Sequence, residues 1–294
     1  MKPAIGLIGA GLMGVGIGAN LLKHGYPLTV LEHPGNQPVD PLVAAGAQTT
    51  PSLQKLASRV EVLILCVTGS PQVESVLAGA SGALKSLRPG SVVIDCSTAL
   101  PSSTERMAAA ASQAGCAMID AAMTRTPKEA AAGRLALLVG GDVQIIERVR
   151  PVLESFSESI FHTGPVGSGH RMKLLHNFVS LGLVTLIAEA AACARQAGVA
   201  DAVFADVLSR GGGGGVALDR LKPYLLEGDK TALRFTVANA GKDLGYYATM
   251  AADSGAERTI AAAVLESIER SAGSEPQAMV PEMVRLIAAR ATPR

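Results

Sequence analysis

Ile5-Gly6-Leu7-Ile8-Gly9-Ala10-Gly11-Leu12-Met13-Gly14 is the stretch whose reading decides the fold. A short aliphatic run of strand length meets a glycine turn, and the residues that follow, to about Lys23, read as a helix. Each glycine has its own use. Gly9 permits the tight turn, Gly11 lets the backbone come close to a pyrophosphate, and Gly14 lets the helix pack against the strand. A phosphate held there meets the positive end of the helix dipole. Gly9, Ala10, Gly11, Leu12, Met13 and Gly14 are therefore the candidate dinucleotide cradle.

The pattern extends outward from this turn. Strand candidates follow at Ala4 to Ile8, Pro27 to Leu31, Val62 to Cys66, Val92 to Asp95, Ala117 to Asp120 and Leu135 to Val139, with helix-like stretches between them. Such alternation predicts an α/β fold with a doubly wound, mainly parallel Rossmann sheet. An acid is expected at the end of the second strand to hold the adenosine ribose, and Glu32 stands there after Leu28-Thr29-Val30-Leu31. Its carboxylate would repel a 2′-phosphate, and no Lys or Arg lies between Glu32 and Gln54, so the expected cofactor is NAD rather than NADP. The competing assignment for Glu32 is an ordinary solvated turn residue.

At 294 residues and 48% hydrophobic, the chain has enough material for two cores. The expected division is a dinucleotide-binding domain over 1–163, a linking helix over 164–197 and an all-α domain over 198–294. Net charge is +1 with no basic face, which argues against nucleic acid or an anionic membrane as partner and for a small-molecule substrate. The N-terminus lacks a signal-peptide pattern and no apolar run looks long enough to span a bilayer, so a cytoplasmic address is expected. Cys66, Cys96, Cys116 and Cys193 have no metal or redox spacing and read as buried free thiols, and the histidines have no metal-ligand spacing, so no metal is expected.

After Gly164-Pro165-Val166-Gly167-Ser168-Gly169 nothing decisively breaks a helix until Gly198, which predicts a helix from Arg171 to Ala197 of roughly 40 Å. Gly182 is a soft spot in it. Lys173 and Asn177, four residues apart, project from one face. Burial would lower the lysine pKa towards the working range of a general acid–base; a lysine snorkelling to solvent is the alternative. Beyond it, amphipathic segments near 201–209, 217–227, 236–253, 256–272 and 278–289 predict a helical domain. The glycine run Gly211 to Gly215 reads either as a flexible turn or as backbone that approaches a ligand.

Four ordered motifs carry a family resemblance: Gly9 to Gly14, Asp120-Ala121-Ala122, the Gly164-x-x-Gly167-x-Gly169-x-x-x-Lys173-x-x-x-Asn177 block, and Lys242-Asp243-Leu244. In this order the chain resembles the β-hydroxyacid dehydrogenases, a family that includes 3-hydroxyisobutyrate dehydrogenase, tartronate semialdehyde reductase and sulfolactaldehyde reductase. The resemblance implies a homodimer or homotetramer. It implies Lys173 as the catalytic lysine and Asn177 as the asparagine that supports both the substrate and the lysine. Ser97 and Thr98 then lie near the nicotinamide and its ribose, and Phe235 and Lys242 close over the cofactor. Without it, Lys242-Asp243 would read as a solvated pair on a helix.

Many members read Asp-Ala-Pro-Val-Ser-Gly-Gly where this chain reads Asp120-Ala121-Ala122-Met123-Thr124-Arg125-Thr126. An arginine here is similar to the sulfolactaldehyde reductase branch, and its planar fork suits a carboxylate, sulfonate or phosphate. Thr124, Arg125 and Thr126 are the candidate substrate-binding residues; alternatively Arg125 swings to solvent. The expected activity is hydride transfer between NAD(H) and a short β-hydroxyacid or a semialdehyde carrying an acid group. The alternatives are an imine reductase, whose relatives tend to lack the lysine, and a non-catalytic dinucleotide-binding protein.

Overall fold

In the computed structural model, residues 2–290 are described. The chain forms two compact units, one up to Lys173 and one from Leu174 onwards. The first opens with β1 (Ile5–Ile8), α1 (Gly14–Lys23), β2 (Leu28–Leu31), α2 (Asp40–Ala44), β3 (Gln48–Thr50), α3 (Leu53–Ala57) and β4 (Val62–Leu65). It continues with α4 (Ser70–Ala78), β5 (Val92–Asp95), α5 (Pro101–Gln113), β6 (Ala117–Thr124), α6 (Pro127–Ala131), β7 (Leu135–Gly140), α7 (Val143–Glu154) and β8 (Ser157–Gly164). Helix α8 (Ser168–Gln196) begins in this unit and runs on into the second.

All eight strands form one sheet in the order β3-β2-β1-β4-β5-β6-β7-β8. Neighbours are parallel except β6 and β7, so β7 and β8 run against the rest. The expected doubly wound sheet is present. Its centre strands are buried on both faces, which is why they read as unbroken aliphatic runs. Alternate residues enter different cores: Leu7, Ile64 and Ile94 pack with α1 and α7, whereas Ile8, Leu63, Leu65 and Val93 pack with α3, α4 and α5. Chain reversal in strand order between β1 and β4 places the glycine turn at a switch point, where ligands of open α/β sheets bind.

Strands β3 and β8 were not among the expected ones. Gln48-Thr49-Thr50 and Ser157-Glu158-Ser159-Ile160-Phe161-His162-Thr163-Gly164 lie at the two edges of the sheet, face less core, and lack the aliphatic signature. Strand β6 runs on beyond Asp120 to Thr124 because its far half pairs antiparallel with β7.

The second unit is helical, as expected. It contains most of α8 with α9 (Asp201–Arg210), α10 (Val216–Glu227), α11 (Val237–Asp253), α12 (Thr259–Ser274) and α13 (Met283–Ala288). Its core draws Val184, Ile187, Ala188 and Ala191 from α8 together with Leu218, Leu221, Val237, Leu244 and Ile268. Phe178 stacks on Tyr247 at 4.3 Å between ring centroids, joining α8 to α11. Helix α8 passes through Gly182 unbroken.

Two expectations need correction. Helix α8 is long and apolar enough to cross a membrane by length and composition alone, although 44% of its most apolar window is buried within the protein. Isolated polar residues divide the run in the sequence but barely lower its mean hydropathy. Among the cysteines, Cys96 and Cys116 are buried, Cys66 is half-buried and Cys193 is exposed, because Cys193 falls on the outward face of α8. All are free thiols.

Asn20 ties α1 to α6. Its side-chain amide faces the carbonyls of Gly16 at 2.8 Å, Ala130 at 2.9 Å and Ala131 at 3.2 Å, and it is buried. Asn20→Ala strands those carbonyls, a loss of about 1–3 kcal/mol. Urea denaturation should show a lower midpoint at unchanged slope; an unaltered midpoint would remove Asn20 from this role.

Candidate active site

In the glycine turn between β1 and α1, two glycines are required by the backbone and a third borders open space. Gly9 has φ +95°, and a Cβ there would stand 2.2 Å from the Cys66 carbonyl oxygen. A Cβ on Gly14 would stand 2.1 Å from the Gly9 carbonyl oxygen. A Cβ on Gly11 would meet nothing within 4 Å, so the backbone here borders open space. No side chain caps the start of α1, which leaves the helix end to an anion. These features fit a dinucleotide pyrophosphate.

Ala10 behaves differently from its neighbours. Its N–H donates to Asn36 Oδ1 at 3.1 Å and its carbonyl accepts from the Gln37 N–H, while Asn36 Nδ2 donates to the Leu31 carbonyl. Asn36 thereby fastens the exit of β2 to the glycine turn. It lies in an aperiodic Gly- and Pro-containing loop, and its sequence carried no signal of this task. Glu32, exposed at the end of β2, donates its N–H to the Thr50 carbonyl and has its carboxylate in solvent. Beside the turn, burial pushes the Cys66 thiol up to about 12, so Cys66 is a neutral filler and no nucleophile at ordinary pH.

At the end of β5 and in the middle of β6 lies a buried polar chain. Asp95 Oδ1 accepts the Ser97 N–H at 2.9 Å, and Asp95 Oδ2 has no hydrogen-bond partner. Ser97 Oγ accepts the Val67 N–H at 3.0 Å. Thr98, next to it, is half-buried. Asp120, fully buried, accepts the Gly167 N–H on Oδ1 and the His170 N–H on Oδ2, each at 2.7 Å. Burial pushes the Asp120 carboxyl up from its ordinary value, while the His170 ring and the two N–H donors pull the other way. Asp120 thus holds the His170 N–H in the first turn of α8 and the Gly167 N–H just before it, and the helix starts at Ser168 instead of the expected Arg171.

Lys173 and Asn177 stand one turn apart on α8, Lys173 half-buried and Asn177 buried. Asn177 Nδ2 donates to Asp243 Oδ2 at 2.7 Å, and its Oδ1 lies 3.0 Å from His176 Nδ1. Asp243, buried on α11, also has Lys242 Nζ at 2.9 Å from its Oδ1. The Lys242 ammonium lies over the Tyr246 ring, 5.4 Å from its centroid. Lys242-Asp243 is therefore a buried link between a cation and the Asn177 amide, not a solvated pair. Half-buried Phe235 packs against the core of the same unit, at the start of the turn that enters α11.

The polar side chains of Thr124, Arg125 and Thr126 are all engaged within the first unit. Thr124 Oγ1 donates to the Ala136 carbonyl at 3.3 Å. Thr126 donates from both N and Oγ1 to Glu129, at 3.1 and 2.5 Å, which holds the Glu129 carboxyl below its ordinary value. Arg125 donates both terminal nitrogens to Glu158 on β8, at 2.8 and 3.2 Å, and Nη1 also to the Arg134 carbonyl. Arg125 has φ +82°, in the left-handed region that favours glycine and the sole such non-glycine case among the described residues. The chain keeps a glycine-like bend here and places an arginine on it.

The three glycines separate by experiment. Gly9→Ala should lower the melting temperature because the backbone must move. Gly11→Ala should melt like the parent and lose dinucleotide affinity, read by NADH fluorescence titration. Equal affinity in parent and Gly11→Ala would mean that the pyrophosphate does not approach there.

Comparison with known proteins gives the family. Residues 4–164 match the NAD binding domain of 6-phosphogluconate dehydrogenase, and residues 167–287 match the NAD-binding domain of NADP-dependent 3-hydroxyisobutyrate dehydrogenase. The chain is 37% identical over 220 residues to the NAD-dependent L-serine dehydrogenase of Pseudomonas aeruginosa, covering 75% of this chain and 74% of that protein. It is 32% identical to the 3-sulfolactaldehyde reductase of Escherichia coli over 82% of this chain and 81% of that one. The 3-hydroxyisobutyrate dehydrogenase of Mycobacterium tuberculosis, solved with L-serine, superposes with TM-score 0.86 at 25% identity, covering 99% of this chain and 100% of that one. Between them the two domain matches run through the glycine turn, the Asp120 strand and the lysine helix, so the chain belongs to the β-hydroxyacid dehydrogenase family and takes a nicotinamide dinucleotide as cofactor.

Proposed function

We propose that this protein transfers hydride between NAD(H) and a short β-hydroxyacid, or a semialdehyde carrying an acid group, with Lys173 as general acid–base. The observation that carries this is the setting of Lys173: one helical turn from a buried amide whose orientation Asp243 fixes. The bound nicotinamide supplies the hydride acceptor or donor. In oxidation, the neutral Lys173 amine takes the hydroxyl proton as the C–H hydride leaves; in reduction, the ammonium returns it to the carbonyl oxygen. Asn177 holds the substrate oxygen and the amine in register. Gly9 to Gly14 hold the pyrophosphate, Ser97 and Thr98 face the nicotinamide ribose, Phe235 and Lys242 cover the cofactor, and Glu32 selects NAD by taking the ribose hydroxyls.

The acid group of the substrate falls to residues 124–126. Arg125 reaches it by exchanging Glu158 for the substrate anion, since one guanidinium fork serves one planar partner at a time. The relatives named for L-serine and for sulfolactaldehyde are in keeping with a small anionic hydroxyacid or aldehyde. We also infer that a second copy of this chain covers the apolar stripe Leu175, Val179, Leu183 and Leu186 of α8, which is exposed in the single chain. Light scattering should then report a dimer or a larger assembly, and a monomer would dismiss the inference.

Turnover is tested with NAD+ and NADP+ against L-serine and 3-hydroxyisobutyrate, and with NADH and NADPH against sulfolactaldehyde. Lys173→Ala should lower kcat at least about a hundredfold with NADH affinity retained. A smaller loss would sink the assignment of the lysine. Arg125→Ala should raise KM for the substrate that is turned over, while Glu158→Gln, which frees the fork, should lower it. Unchanged KM in both variants would place the acid group elsewhere.

A further inference from the structure

His170 sits in the first turn of α8, fully buried, and neither the hydride nor the proton step described above uses it. Both of its ring nitrogens are engaged, by two different elements. Nε2 lies 3.1 Å from the Ser97 carbonyl oxygen, and Nδ1 lies 2.7 Å from Thr104 Oγ1 on α5. A carbonyl oxygen only accepts, so Nε2 carries a hydrogen and donates it. The His170 backbone N–H is held as well, by Asp120 Oδ2 at 2.7 Å. Ser97 is itself fixed on its other sides, by Asp95 at its N–H and by Val67 at its hydroxyl.

Lys173 is three residues further along the same helix, on the same face as His170. The imidazole is thus a rigid strut between the loop after β5, which carries Ser97 and Thr98, and the helical turn that carries the lysine. We propose that His170 is a positioning residue: through its Nε2–H bond to the Ser97 carbonyl it fixes the Lys173 turn against the 97–98 loop, so that proton transfer is aligned when dinucleotide docks beside that loop. The proposal rests on the assignment of Lys173 as acid–base. Purely structural burial of a histidine would need the two ring nitrogens satisfied but would give no preference for the Ser97 bond over the Thr104 bond.

That difference is testable with two substitutions. In His170→Gln the amide nitrogen occupies the place of Nε2 and reaches Ser97 but not Thr104. In His170→Asn the amide occupies the place of Nδ1 and reaches Thr104 but not Ser97. The expected result is kcat within about threefold of the parent for Gln and at least tenfold lower for Asn, with NADH affinity by fluorescence titration changed less than threefold in both. Should His170→Asn fail to fold, His170→Leu, which fills the space without either bond, carries the same expectation. Equal kcat in parent, Gln and Asn, with only the melting temperature lowered, would overturn the proposal and leave His170 a packing residue.

Hydrogen–deuterium exchange separates this from the lysine assignment, because it needs no turnover. On addition of NADH, amides over 167–176 should gain protection in the parent and in His170→Gln, and not in His170→Asn. The same gain in all three would overturn the proposal. A parent inactive on every hydroxyacid would end the assignment of Lys173 while the exchange result still decided the link between the loop and the helix.

Discussion

The first turn of any α-helix has N–H groups with no partner inside the helix, and in α8 the N–H of His170, with that of Gly167 just before the helix, is satisfied from another element. Asp120 reaches them from the middle of β6, fully buried, with one carboxylate oxygen for Gly167 and the other for His170. An unpaired buried carboxylate is costly and so are unpaired N–H groups; each removes the other's cost. Space for this is kept by glycine. A Cβ on Gly140 would stand 2.6 Å from Asp120 Oδ1, and one on Gly169 2.8 Å from Oδ2. The start of α8, and so the placing of Lys173, follows from that one carboxylate.

The glycine turn after β1 obeys a different constraint. Gly9 and Gly14 are fixed by backbone oxygens a little over 2 Å from where a side chain would begin, at 2.2 and 2.1 Å. Gly11 is free of such contacts, and its absent side chain keeps the approach to the helix end clear. Two glycines make the turn possible and a third leaves open space beside the helix end. Asn36 completes the turn by taking the Ala10 N–H, which removes one donor from those left open in the turn.

Around residues 124–126 the polar groups are balanced within the protein itself. Glu158 takes both prongs of Arg125, and the guanidinium in turn holds the Glu158 carboxyl below its ordinary value. Such an exposed pair is screened by water and exchanges readily. An anion that replaced Glu158 would have to match the same planar fork.

Sequence by itself determined the α/β architecture, the glycine turn and the helix that carries Lys173 and Asn177, because each is a local pattern: aliphatic runs buried on both sheet faces, glycines at fixed offsets, and a long stretch without a helix breaker. It also placed the family motifs in order. Tertiary structure alone decided the edge strands β3 and β8, whose polar residues carry little burial signal. It alone decided the long-range partners of Asp120, His170 and Asn177, which come from 47 to 73 residues away in the chain. It alone showed that Arg125 bends like a glycine and grips Glu158, since neither φ nor the nearness of β8 is written in Thr124-Arg125-Thr126. Local periodicity is set by a residue's own neighbours along the chain, whereas a buried hydrogen bond is set by whatever the sheet brings beside it.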